Sequence, residues 1–220
     1  GSSVCGGCSD GGSLGGSGGG SSGGSSTTTT PSITSSPKLI VKNGTYYLIQ
    51  NGQRKGITSP GILNSCGFAF SDAGVASSSE NLLPQGSLLL PCGGALVKSI
   101  EDQTVYIVSN NKRYAFVSSN VFLSLGFSFK SVLTVTDPEL QTLSRGENLS
   151  NPNQAQLPEM DININGTIYW IDIDGSKHPY PSLAVYNSWH IDNDFSTVVV
   201  ANSADLSLQT GNAVPLRVIN

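Results

Sequence analysis

Residues able to do chemistry are few in this chain. Cys5 and Cys8 form a Cys-x-x-Cys pair inside glycine- and serine-rich sequence. A redox thiol at that spacing needs a strand-to-helix junction to lower its pKa, and glycine-rich chain offers none. A structural zinc ion needs two more ligands nearby, which residues 1–37 do not supply. Ser9 stands where a haem-attachment motif requires histidine. The pair is therefore expected to form a disulfide, short-range or between chains. Cys66 and Cys92 are expected to form a second one, closing a loop of about 25 residues worth roughly 3 kcal/mol in chain entropy.

The stretch from Asp161 to Asp172 matches a calcium loop at positions one, three and five, with the central glycine and an acid at position twelve. Yet Ile162 and Ile164 alternate as in a strand, and the last acid is Asp where Glu is usual. A hairpin is the stronger reading, so no metal and no cofactor are expected. Asn43, Asn148 and Asn165 head formal N-glycosylation sequons, two of them on Asn-Gly turns. Thr27, Thr28, Thr29 and Thr30 beside Pro31 are better candidates for O-glycosylation, by composition alone.

Catalysis finds little support. His178 and His190 are the two histidines, and no nucleophile elbow, phosphate loop or histidine–acid metal pattern is present. No catalytic residue is assigned, and the chain is read as a non-enzyme. Tyr47, Tyr106 and Trp170 fall at matching positions of a repeated pattern, which predicts core packing for all three. Trp170, Trp189 and His190 are also where the pattern loses its symmetry. They are the candidate glycan contacts.

The elements that must position these residues come from that repeated pattern. Three times an aromatic-rich strand, a tight turn, a basic residue, an amphipathic stretch and a closing Leu-x-x-Gly follow one another, ending at Gly86, Gly146 and Gly211. Asn43-Gly44 and Asn51-Gly52 mark hairpin turns, giving a meander over Lys38–Lys42, Thr45–Gln50 and Gln53–Ile57. Ser59–Cys66 and Ser118–Leu125 read as short helices, the second stopped by Gly126. Asp137-Pro-Glu-Leu is a further helical turn. In the third copy Trp170 matches Tyr106, Lys177 matches Arg113, Trp189 matches Leu125, and His190 replaces the stop glycine. Glu147–Glu159 reads as a linker at which the third copy could hinge, and Ala213–Ile219 as a closing strand.

The expected fold is mainly β, in α+β repeats: an extended Gly/Ser/Thr-rich arm (1–37), then three meander-plus-helix units (38–92, 93–150, 151–220). A unit of about 50 residues buries too little surface to stand alone, so the units must pack on one another.

Composition limits the partners. The net charge is −4 with no basic cluster, which argues against nucleic acid. No apolar run is long enough to span a bilayer. The chain opens on Gly-Ser-Ser without a basic and apolar leader. Sparse lysine, a Ser/Thr-Pro linker and four cysteines favour a processed, secreted protein.

Residues 96–146, with Leu96-Val-Lys, Val105-Tyr-Ile-Val, Lys112-Arg-Tyr-Ala-Phe-Val and Phe122-x-x-x-Gly-Phe-x-Phe, resemble repeat units of secreted bacterial cell-surface proteins. The match extends over everything after the arm. It implies a surface location and a non-catalytic role, and it transfers no functional residue. The expectation is an extracellular, cell-surface structural subunit that polymerises with itself, its arm interlocking neighbours. The alternative is a module that binds cell wall or glycan.

Overall fold

The computed structural model describes residues 37–191 and 193–218. The chain is mainly β, with three small mixed sheets and short helices. Cys5, Cys8 and Thr27–Thr30 lie outside the described residues.

In the first segment β1 (Lys38–Lys42), β2 (Thr45–Gln50) and β3 (Gln53–Gly56) form an antiparallel meander. Asn43-Gly44 and Asn51-Gly52 hold positive φ at both positions, as tight hairpins demand. Helix α1 (Pro60–Ser65) follows, capped by the Ser59 hydroxyl and carrying proline at its first position. The chain then returns through β4 (Gly74–Val75), parallel to β1, and α2 (Ser78–Leu82).

The second segment runs through β5 (Leu96–Ser99), β6 (Tyr106–Ser109), β7 (Lys112–Ala115), α3 (Ser119–Ser124), β8 (Val132–Val135), α4 (Asp137–Thr142) and β9 (Ser144–Arg145). The third has β10 (Asp161–Ile164), β11 (Thr167–Ile171), β12 (Lys177–Pro179), α5 (Leu183–Trp189), β13 (Val199–Val200) and α6 (Ser203–Leu206). Strand orders are β3-β2-β1-β4, β8-β5-β6-β7-β9 and β12-β11-β10-β13. Beyond the meander and first helix, each segment adds a crossover with a parallel strand and a second helix, of which the sequence marked only the turn at Asp137. These returning strands are two to four residues long, too short to show period-two alternation.

The basic residue of the pattern has a structural task in each segment. Arg54 Nε donates to the Leu83 carbonyl, Arg113 Nη1 to that of Leu140, and Lys177 Nζ to those of Asp205 and Leu206. Each cation thereby satisfies carbonyls at the C-terminal end of the second helix, where charge and helix dipole agree. The N-termini of those helices carry capping boxes, Ser77/Glu80, Thr136/Glu139 and Asn202/Asp205. The closing glycine donates its N–H to the carbonyl of the same basic residue: Gly86 to Arg54, Gly146 to Arg113, Gly211 to Lys177. A Cβ there would collide with Gln53, Tyr114 or His178.

Two cores join the segments. Leu39, Leu48, Ile62, Leu63 and Phe68 pack with Val97, Tyr106, Val108 and Leu143. Leu96, Ile107, Phe116, Phe122 and Leu125 pack with Met160, Ile162, Ile171 and Val199. Because successive strand residues face opposite ways, Leu96 and Val97 serve different cores, and β6 is buried at every position. Cys66 and Cys92 are disulfide-bonded, tying α1 to the connector before β5.

Three expectations are corrected. The segment 147–159 is no hinge: Gln156 is buried, donating its backbone N–H to Asp205 and its Nε2 to the Leu125 carbonyl, and Ser109 Oγ donates to the Pro158 carbonyl. Polar composition hid these anchors. Residues 213–218 form no strand; they hold single bonds, such as Val214 N–H to the Pro179 carbonyl. Finally, Trp170 does not match Tyr106. Tyr47 pairs with Gly56, Tyr106 with Ala115 and Tyr169 with Pro179, so Tyr169 is the counterpart. The Asp172–Ser176 turn is one residue longer than its fellows, and a one-residue slip exchanges the faces of a strand.

Candidate functional site

The corrected register exposes an exchange. Asp161 pairs with Trp170 where Leu39 pairs with Leu48 and Leu96 with Ile107. The third segment therefore puts a carboxylate and an indole at positions that hold aliphatic core side chains elsewhere. Tyr180 follows Pro179 as Phe116 follows Ala115. Tyr186, four residues beyond the cap Ser182, stands where Phe122 follows Ser118. At the helix end Gly67 and Gly126 turn the chain with φ of 72° and 88°, whereas His190 is extended, with φ −123°. Without the left-handed stop, the imidazole instead stacks on Tyr186, ring centroids 4.2 Å apart.

Asp161, Trp170, Tyr180 and His190 converge on a cleft of about 250 Å³ where all three segments meet. His190 Nε2 lies 3.1 Å from Asp161 Oδ2 and 3.2 Å from the Tyr180 hydroxyl. Asp161 is 5 % exposed, and its other oxygen, Oδ1, is buried with no hydrogen-bond donor among the described residues. Glu159 lines the same cleft. It holds φ 67°, rare for a residue with a Cβ, and its Oε2 accepts from the Asn110 N–H at 2.6 Å. Burial pushes the Glu159 carboxyl above its ordinary range, with the Asp172 charge adding to the effect and the Asn110 bond opposing it. Burial also raises the Tyr186 phenol, reinforced by the charges of Asp161 and Asp194. Gly93 and Gly94 leave the space that Glu159 occupies.

The residues singled out from sequence fare differently. Trp170, Trp189, His190, Cys66 and Cys92 all line this cleft. Trp170 is only 4 % exposed. Trp189 donates its indole N–H to the Pro215 carbonyl, with Arg217 over its ring. The calcium-loop match dissolves into the β10–β11 hairpin: Asp161 sits beside His190, while Asn163 Oδ1 accepts from the Gly166 N–H. Asp161, Glu159 and Tyr180 were not read as a site. The available signal was an acid at an aliphatic core position, hidden by the slipped register.

A second polar group surrounds the longer turn. Ligand atoms of Asp172, Asp174 and His178 lie within 4.8 Å of one another. They are occupied locally: Asp174 Oδ1 accepts from the Ser176 N–H and Oγ, and His178 contacts Ser176 Oγ and the Asn212 carbonyl. These bonds shape the turn.

No family model matches the chain, and no curated protein does. Similar solved structures include a chain of the periplasmic assembly from the ESX-5 inner membrane complex and one of an intact ESX-5 inner membrane complex. Both are 11 % identical, with a TM-score of 0.23, and cover 84 % of this chain and 68 % and 59 % of theirs. At that TM-score the likeness carries no argument. Among the described residues no helix is long and apolar enough to cross a membrane.

Proposed function

We propose that this chain is an extracellular, cell-surface structural subunit built from three copies of one unit of about 50 residues, and that residues 1–37 interlock neighbouring copies into a filament or layer. The observation that carries the reading is a pair of open sheet edges. Strands β4 and β13 are edge strands of two residues, whose valines Val75 and Val200 are 86 % and 79 % exposed. Edges this short resist unspecific pairing, and an extended arm would lengthen them by strand addition. The role is non-catalytic. In support, the recurring polar residues are engaged in capping helices and closing sheets. Removal of residues 1–37 is expected to leave folded monomers where the full chain forms fibres or sheets in negative stain. Assembly that survives the deletion refutes the arm's role.

A second reading is favoured by a specific observation, the convergence of Trp170, Trp189 and His190 on one cleft. In it the third segment holds a glycan of the cell surface. Trp189→Ala is expected to reduce retention on immobilised glycan, and unchanged retention counts against this site.

A further inference from the structure

The cleft holds charges that packing does not require. Asp161 replaces a core leucine, so it is no solvated polar cap of a terminal unit: with 5 % of its surface exposed it gains little from water. A buried carboxylate oxygen lacking a donor is costly, and it calls for a partner that supplies one. Hydroxyl and ammonium groups both qualify as donors. Charge decides between them. Among the described residues Glu159, Asp161 and Asp194 line the cleft against a single exposed lysine, Lys130, with His190 beside Asp161. Two of these acids stand on one short stretch, Glu159-Met160-Asp161, and Glu159 is held in a left-handed backbone conformation that asparagine or glycine would adopt more readily. Trp170, Tyr180 and Trp189 line the cleft as well, and aromatic rings attract a cation held near them.

We infer that the cleft binds a protonated primary amine carried on a sugar ring, with Asp161 Oδ1 as its acceptor and Glu159 as the second anionic wall. This rests on the glycan reading above and names the sugar class it requires. Neutral sugars would leave the buried Asp161 and half-buried Glu159 carboxylates facing uncharged hydroxyls, and anions would be repelled.

The test is calorimetric titration of the full chain, disulfide intact, with glucosamine, N-acetylglucosamine and lysine methyl ester. Glucosamine should bind at least tenfold more tightly than the other two. Asp161→Leu restores the residue type of Leu39 and Leu96 and is expected to fold. It should abolish binding, while Glu159→Gln weakens it several-fold. Equal binding of N-acetylglucosamine overturns the amine assignment and leaves the glycan reading standing. Absence of binding by either sugar overturns both. Lysine methyl ester binding as tightly as glucosamine overturns the sugar, assigning the cleft to a peptide amine. Asp161→Leu that keeps wild-type affinity removes the cleft as the site.

Discussion

The second and third segments share a strand order, with the parallel return beside the first strand of the meander, but fill their helix-facing sides with different side chains. In the second, Leu96, Ile107, Phe116, Phe122 and Leu125 close a dry core against the strands that follow. In the third, the corresponding places hold Asp161, Trp170, Tyr180 and Trp189 around a cleft, with Tyr186 buried in the aromatic cluster. Even the ring geometry is kept: Phe116 and Phe122 meet edge to face at 5.1 Å, Tyr180 and Tyr186 at 5.2 Å. One face spends its residues on stability. The other gives some of that up for polar groups pointing at one another.

The comparison can be broken by substituting corresponding residues. Phe122→Ala removes a fully buried ring from the joint core and should cost about 3–5 kcal/mol in denaturant unfolding. Tyr186→Phe, at the corresponding position, loses only the bond from its hydroxyl to the Asp194 carbonyl, about 1 kcal/mol. Equal costs would mean that the two faces are not built alike. Asp161→Leu combined with His190→Leu should act in the opposite sense, raising stability by about 1–3 kcal/mol because both members of the pair are exchanged for packed aliphatic surface. A loss measured in the same unfolding experiment would show that the pair is structural.

The smallest expected effect concerns the capping acids. In the first segment Glu80 bonds Lys38 at 2.7 Å, and that contact, with the Ser77 N–H and hydroxyl, holds its carboxyl at about 2 against an ordinary 4.5. A depressed acid stabilises above its unfolded pKa, and the contribution fades as pH falls from 4.5 toward 2. Asp205, at the same place in the third segment, is pushed up by burial, with Lys177 and the Gln156 and Asn202 N–H groups opposing. Its sign is reversed: stability falls as pH rises above the ordinary aspartate value toward the raised one. Thermal midpoints between pH 2 and 5 should therefore vary less in Glu80→Gln than in the parent. An unchanged pH profile removes the Lys38 pair as its source.

Much of this fold was legible. Asn-Gly turns demanded positive φ, Pro60 suited the first turn of α1, a Ser or Asn cap marked α3, and Gly126 stopped its helix, because each is a local signal read within a few residues. The parallel returns were not, since strands of two to four residues show no period and are held by partners distant in sequence. The site was half legible. Trp189 and His190 announced themselves by breaking the pattern at a helix end that aligns without gaps. Asp161 did so too, but the extra residue in the Asp172–Ser176 turn shifted the count and presented Trp170 as a tyrosine's counterpart. Spacing alone could not reveal that; the pairing of Tyr169 with Pro179 does.

The short stretch from Val214 to Arg217 bears on how the molecule comes into being. Arg217 lies over Phe68 at 3.9 Å and donates to the carbonyls of Cys66 and Trp189, so it fastens the third segment to the first. Partners so distant along the chain meet late, because a large loop must close before they reward it. The first two segments can gather their shared core on their own, whereas the contact of Arg217 with Phe68 forms only once the third segment has folded against them.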